Sequence, residues 1–299
     1  MGNWRVNRHA RKRSSMVLYV LFVLLMLSVV LLMLLGLGIL SLPISSGKDS
    51  LSARGRGVSE QVTLDTNLDD RMESEGEGLG KRENQWTEVL SWEPRAFLYH
   101  NFLSKEECVH MINLAKPHMT LSTVVDDDTG DRVNSSVRTS TGMFLEIGQD
   151  RVIRDIEKRI ADYTQIPVEH GEGLQILHYE VGQKYDPHCD YFEDEFNLKN
   201  GGQRLATVLM YLSDVEEGGE TVFPAAKGNF SSIPNWDKMS ECAKEGLFVK
   251  PKMGDALLFW SLKPDGSDDP MSMHGACPVI RGNKWSSTKW LHVDLYDNS

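Results

Sequence analysis

The 299-residue chain carries 43 acidic and 32 basic residues, a formal net charge of −11, and is 40% hydrophobic. That balance excludes a general nucleic-acid binder, which needs a basic face to neutralise phosphates. It also excludes a chain disordered throughout and a polytopic membrane protein, and the length suits one substantial domain.

The charge is unevenly spread along the chain. Residues 1–15 hold Arg5, Arg8, Arg11, Lys12 and Arg13 and no acid. Residues 16–42 are almost all Leu, Val, Met, Ile and Phe. That run exceeds the roughly 20 residues a helix needs to cross a bilayer core and the short apolar region of a cleavable signal. It reads as one transmembrane signal anchor, with the basic tail 1–15 in the cytosol and the remainder across the membrane, a type II topology. On that far side lie the sequons at Asn134 and Asn229 and all four cysteines, where disulfides persist. There is no Cys-x-x-Cys pair, which argues against a structural zinc site. Residues 43–85, rich in Ser, Gly, Asp and Glu, read as a flexible luminal stem, and 86–299 as the folded domain.

Within that domain, Ser104-Lys105-Glu106-Glu107 has the form of a capping box, followed by Cys108, Met111, Ile112 and Ala115 at helical spacing as far as Pro117. Asp150 caps a second helix with Val152, Ile153, Ile156 and Ile160 on one face. After about residue 170 the pattern shifts to short β-forming runs at 174–181, 205–212, 257–260, 278–280 and 285–295, broken by glycine turns. Helix first and sheet later is the expected plan, a sandwich or barrel with the helices buttressing one face.

The chemistry concentrates in His188-Cys189-Asp190. On an extended chain, residues two apart share a face, so His188 and Asp190 converge while Cys189 turns away. His274, far downstream, supplies a second imidazole. Two histidines and one carboxylate cap one face of an octahedral ion and leave positions open, the donor set of a non-haem Fe(II) oxygenase. By themselves these pieces are weak, since nine histidines occur. Lys284, ten residues beyond His274, reads either as a solvated turn residue or as the partner of a dicarboxylic cosubstrate.

Longer segments decide between these readings. Gly201-Gly202-Gln203-Arg204-Leu205-Ala206-Thr207, Gly218-Gly219-Glu220-Thr221-Val222-Phe223-Pro224, Lys252-Met253-Gly254-Asp255 and His274-Gly275-Ala276-Cys277-Pro278, with Arg138-Thr139-Ser140 upstream, resemble the catalytic domain of plant-type prolyl 4-hydroxylases. These are Fe(II)/2-oxoglutarate dioxygenases related to the collagen enzymes, and the resemblance spans roughly residues 90–296. It implies a mainly β fold, a double-stranded β-helix (jelly-roll) core with buttressing N-terminal helices. It assigns His188, Asp190 and His274 to the metal, Lys284 to the far carboxylate of 2-oxoglutarate, and Tyr179 and Thr221 to the cosubstrate pocket. Arg138, Ser140, Glu172, Arg204, Trp290 and His292 match the peptide groove, although each alone reads equally well as core or surface. Fe(II), 2-oxoglutarate, O2 and L-ascorbate are the implied cofactors and cosubstrates. The implied reaction is C4 hydroxylation of peptidyl proline, with succinate and CO2 as co-products, in a proline-rich secretory or cell-wall polypeptide of polyproline II form. The implied residence is the endoplasmic reticulum or Golgi membrane. Relatives can pair the positions of Cys242 and Cys277, and Cys108, on the helix face, reads as buried and free. Cys189 departs from the aromatic residue common between the two ligands. Asp126-Asp127-Asp128-Thr129-Gly130-Asp131 resembles a mobile loop that folds over the peptide. Two competing readings are an oxygenase for another residue, such as lysine, and a membrane-tethered binding module that retains the fold. The intact triad with Lys284 argues against the second.

Overall fold

The computed structural model describes residues 79–82, 84–125, 132–133 and 136–297, together with Met26. The apolar run at 16–42, most of the stem, the acidic segment 126–131 and the Asn134 sequon lie outside the described residues. Among the described residues no helix is long and apolar enough to cross a membrane.

In chain order the elements are β1 (Trp86–Trp92), β2 (Arg95–His100), α1 (Lys105–Ala115), β3 (Thr120–Leu121), β4 (Val124–Val125), β5 (Arg132–Val133), β6 (Thr141–Leu145) and α2 (Arg151–Thr164). Then come β7 (Leu174–Tyr179), β8 (Tyr185–His188), β9 (Arg204–Tyr211), β10 (Glu217–Gly218), β11 (Thr221–Phe223) and β12 (Leu247–Val249). The last four are β13 (Ala256–Trp260), β14 (His274–Ala276), β15 (Val279–Arg281) and β16 (Lys284–His292). The fold is mainly β and antiparallel. An eight-stranded sheet runs β1-β2-β13-β9-β16-β7-β6-β3, and a four-stranded sheet runs β12-β11-β14-β8. From β7 onward the chain crosses repeatedly between the two, a pattern consistent with the expected jelly-roll.

Both helices form where their caps place them. Ser104 accepts from the Glu107 amide at 3.0 Å while the Glu107 carboxylate accepts from the Ser104 amide at 2.9 Å, closing the capping box of α1. Asp150 caps α2 by accepting from the Ile153 amide at 2.9 Å, and Gln165 ends it in the left-handed region at φ 60°. Cys108, Met111 and Ala115 of α1 and Ile153, Ile156 and Ile160 of α2 pack on the large sheet against Ile176, Val208, Met210 and Leu258. Each of the buried Ile, Val, Leu and Met side chains contributes about 1.5–3 kcal/mol by leaving water. Two buried ion pairs fix the layer: Arg159 to Glu107 at 2.7 Å, helix to helix, and Lys289 of β16 to Glu157 of α2 at 2.7 Å.

The order differs from the expected plan. The folded part opens on the β1–β2 hairpin, and β6 intervenes between the helices; all three extend the large sheet. β1 is mostly exposed and its register shifts between Val89 and Ser91, which spoils the apolar alternation that announces a strand.

Candidate active site

Alternation along the strands builds the site. In β16, Lys284, Ser286, Thr288 and Trp290 face the space between the sheets, while Lys289 faces α2. β8 and β14 pair with His188 directly opposite His274. Asp190 follows two residues after His188, and ligand atoms of the three side chains all lie within 4.8 Å of one another. His188 Nε2 and His274 Nε2 each stand 3.6 Å from an Asp190 oxygen. The other ring nitrogens are engaged: His188 Nδ1 meets the Asp186 carbonyl at 2.9 Å and His274 Nδ1 the Ser272 carbonyl at 3.0 Å. A carbonyl needs a donor, so each Nδ1 keeps the proton and each Nε2 turns a lone pair inward. Thr207 of β9 donates to Asp190 Oδ2 at 2.6 Å and orients the carboxylate.

The protonation states suit a cation. Burial alone would raise the Asp190 carboxyl, but His274 and His188 outweigh it and hold it well below the usual carboxylate range. Burial also lowers the His274 imidazole to about 4, against the pull of Asp190, so it is neutral at physiological pH. Two imidazoles, each with its Nε2 turned inward, and one carboxylate, oriented and mostly buried, fit a divalent iron.

At the far end of the same pocket stands Lys284, only 1% exposed. Its amine lies 5.3 Å from the Tyr179 ring centre and 5.8 Å from that of Tyr211. Burial brings the amine down to about 7, against Glu220, which favours its charge. Tyr211 donates to the Thr221 hydroxyl at 2.8 Å, closing that end. Gly218 of β10, at φ +75°, permits the close pairing with β15: a Cβ there would sit 2.3 Å from the Pro278 carbonyl oxygen. A narrow pocket with ligands at one mouth and a buried cation at its base suits a short dicarboxylate lying lengthwise.

Outside the triad a wider groove opens, lined by Arg138, Tyr185, Tyr191, Phe192, Arg204 and Trp290. Tyr185 stacks on His188 with ring centres 3.6 Å apart, and its hydroxyl is pushed up to about 12, chiefly by burial. Arg204 lies 4.0 Å over Trp290 and 4.5 Å over Phe192, and bonds Glu172 at 2.7 Å. Arg138 lies 4.7 Å over Tyr185 and bonds Gln175 at 2.8 Å. Among the described residues, Arg138 Nε and Trp290 Nε1 are buried without a hydrogen-bond partner.

Comparison with known proteins places the chain in a family. The family model of the 2OG-Fe(II) oxygenase superfamily matches residues 174–292. "Probable prolyl 4-hydroxylase 3" of Arabidopsis thaliana is 63% identical over 99% of both chains. The chain belongs to the prolyl 4-hydroxylase family. "Prolyl 4-hydroxylase 5" of the same plant is 67% identical over 73% of this chain and 74% of its own. A crystal structure of a viral collagen prolyl hydroxylase from Paramecium Bursaria Chlorella virus-1, with 2OG, aligns at 27% identity and a TM-score of 0.48, covering 65% of this chain and 94% of that one.

The sequence-derived residues divide by position in this oxygenase. Arg138, Arg204 and Trp290 form groove wall, and Tyr179, Thr221 and Lys284 line the inner pocket. Ser140, Glu172 and His292 stand one layer behind: Ser140 donates to Ser122 at 3.0 Å, and Glu172 receives Arg204 and, at 2.9 Å, His292. Cys189 lines the outer groove rather than the inner pocket, with Tyr191 as its hydrogen-bond partner. Cys242 and Cys277 form a disulfide, and Cys108 is buried and free. Sequence reading passed over Thr207, Gln175 and Tyr185. The available signal was a polar side chain at a buried position of an apolar strand, true of Thr207 and Gln175.

Proposed function

We propose that the enzyme hydroxylates C4 of peptidyl proline in proline-rich secretory or cell-wall polypeptides, converting 2-oxoglutarate to succinate and CO2. The observation that carries this reading is that the aromatic groove and the Lys284 pocket open on the same His188–Asp190–His274 cluster. A peptide and a dicarboxylate can therefore reach one ion from two sides.

His188, Asp190 and His274 would hold Fe(II), which with 2-oxoglutarate and O2 supplies the oxidising power for an unactivated C–H bond that no side chain here can attack. The chain supplies placement. Lys284 holds the far carboxylate, and its buried setting strengthens that pair. Tyr179, Tyr211 and Thr221 shape the pocket and exclude water. Along the groove, Tyr185, Phe192 and Trp290 present aromatic surface to the rings of a polyproline II strand. Glu172 and His292 hold Arg204 flat on Trp290, so one groove wall is fixed before the peptide arrives. L-ascorbate would serve to keep a bound iron ferrous.

The same proposal includes a luminal catalytic domain on a single type II anchor at residues 16–42, on a stem at 43–85, in the endoplasmic reticulum or Golgi. The run of apolar residues behind a basic tail supports it. The double-stranded β-helix assignment rests on the crossings between the two sheets.

The test uses purified full-length enzyme with Fe(II), 2-oxoglutarate and ascorbate. A polyproline peptide should gain one oxygen mass per turnover and yield 4-hydroxyproline on amino-acid analysis, with a matching amount of succinate, and His188→Ala should abolish both. Oxygen gained by a lysine-rich peptide instead would transfer the activity to another residue type.

A further inference from the structure

The groove does not stop at Trp290. Phe144 of β6 sits opposite Gln175 of β7, and both line it. One step further along the same two strands the pairing ends at Leu145 and Leu174, and a second cavity of about 610 Å³ opens beside Phe144, Ile147, Gly173 and Tyr296. Phe144 belongs to both walls. It is 37% exposed, and its ring centre stands 6.4 Å from that of Trp290. Ile147 and Tyr296 are half-buried, and Gly173 puts no side chain into the space. The second cavity therefore continues the first across a single aromatic ring.

Backbone bonds fix its far wall. After β16 the chain runs on as a strap, in which the Val293 amide donates to the Gln203 carbonyl at 3.0 Å, the Asp294 amide to the Gly201 carbonyl at 3.0 Å and the Tyr296 amide to the Glu169 carbonyl at 2.9 Å. Asn200 and Asp297 close the strap with two bonds, at 2.7 and 2.8 Å. Tyr296 is thereby set 4.8 Å from the His292 ring, and His292 acts through Glu172 on Arg204 and Trp290. Inner and outer walls are braced together. A polyproline II strand rises about 3.1 Å per residue, so a chain with one residue on Trp290 reaches Phe144 about two residues later and the second cavity about one turn away. Its compact rings are apolar, and Phe144, Ile147 and Tyr296 can take one of them out of water.

We propose, on the basis of the function given above, that the cavity bounded by Phe144, Ile147 and Tyr296 is a remote subsite for the same polypeptide, holding a proline ring about one to two turns from the reacting proline and on one side of it only. The subsite makes the enzyme read a stretch of polyproline II rather than a single residue. Partial burial of one such ring raises kcat/KM by roughly three- to tenfold.

Three peptides of one length test it, sharing a central proline pair and differing only at positions roughly three to six residues away: glycine on both sides, proline on the N-terminal side, or proline on the C-terminal side. Fragment masses locate the oxygen gained, so that only the central pair is counted. With the loaded full-length enzyme, kcat/KM for one placement of the remote prolines should exceed the glycine peptide by roughly three- to tenfold, and calorimetric Kd values on the metal-free protein should follow the same order. Ile147→Ser and Tyr296→Ala should each bring the proline-to-glycine ratio to about one. That ratio is read on folded enzyme alone, so partial loss of the fold lowers all three rates without moving it. Stiffening of the free peptide by added prolines would help both placements and survive the substitutions. Equal gains for both placements, equal rates for the three peptides, or a preference that both substitutions leave intact overturns the inference. Hydroxylation of none of them overturns the proline reading instead.

Discussion

Lys284 shows how one residue ties function to instability. A lysine 1% exposed, facing two tyrosine rings, is costly to bury, and that cost is why its amine falls from 10.5 to about 7. Because the folded value is the lower one, the unfolded chain binds the extra proton between about pH 7 and 10.5, and the folded state gains stability as pH rises through that window. Below it both states are protonated and the penalty stands in full. Lys284→Met should therefore stabilise the ligand-free protein by about 1–4 kcal/mol at neutral pH in urea unfolding. The same substitution should raise the 2-oxoglutarate KM roughly thirtyfold or more, since the far carboxylate loses a buried charged partner. In the unaltered enzyme, 2-oxoglutarate affinity should decline as pH passes about 7 and the free amine loses its proton. A substituted protein that is less stable, or that binds 2-oxoglutarate unchanged, would show that Lys284 is a packing residue.

At the level of elements, what the sequence reveals depends on how many positions an element has in which to repeat a pattern. Both helices are legible because a capping residue and several apolar side chains at helical spacing agree, and β7, β9 and β16 are legible because they are long. β11 and β14 have three residues each, too few to show a period, yet β14 carries His274 of the triad. His188 opposite His274, Thr207 on Asp190 and Gln175 on Arg138 are contacts between segments distant in the chain, which no local pattern encodes. The motifs name the three side chains; only the sheet register brings them together. The same holds for the helix layer, whose attachment depends on Glu107. That carboxylate is fully buried, accepts from the Ser104 amide, and takes both Arg159 terminal nitrogens at 2.9 and 2.7 Å. Glu107→Ala leaves a guanidinium buried without its charge partner and opens the α1 cap, so the expected loss is about 3–5 kcal/mol in equilibrium urea unfolding. A loss below about 1 kcal/mol, the range of an exposed pair, would mean that Arg159 finds water once Glu107 is gone.

For the molecule as a whole, the basic tail and the folded domain belong to different compartments in the topology proposed here. The Cys242–Cys277 disulfide, which closes a separation of 35 residues, accords with an oxidising lumen. Asn229 offers an independent reporter on the same side. It is exposed at the start of a short turn, where its side-chain oxygen accepts from the Ser231 amide at 3.2 Å and the Ser231 hydroxyl at 2.7 Å, so the sequon is both accessible and in a defined conformation. N-glycosylation occurs only on the luminal side, and the apolar run alone does not fix orientation; the flanking charge does. The full chain, made in cells and treated with an endoglycosidase, should lose a glycan-sized increment of mass that Asn229→Gln removes. In sealed microsomes, added protease should clip a tag placed before Met1 and leave the domain from Trp86 onward intact. Exchanging Arg5, Arg8, Arg11, Lys12 and Arg13 for neutral residues should then shift part of the population to the opposite orientation, in which Asn229 escapes modification. A chain whose Asn229 is never glycosylated and whose folded domain is digested from outside the vesicle would place catalysis in the cytosol and leave the anchor's orientation governed by something other than charge.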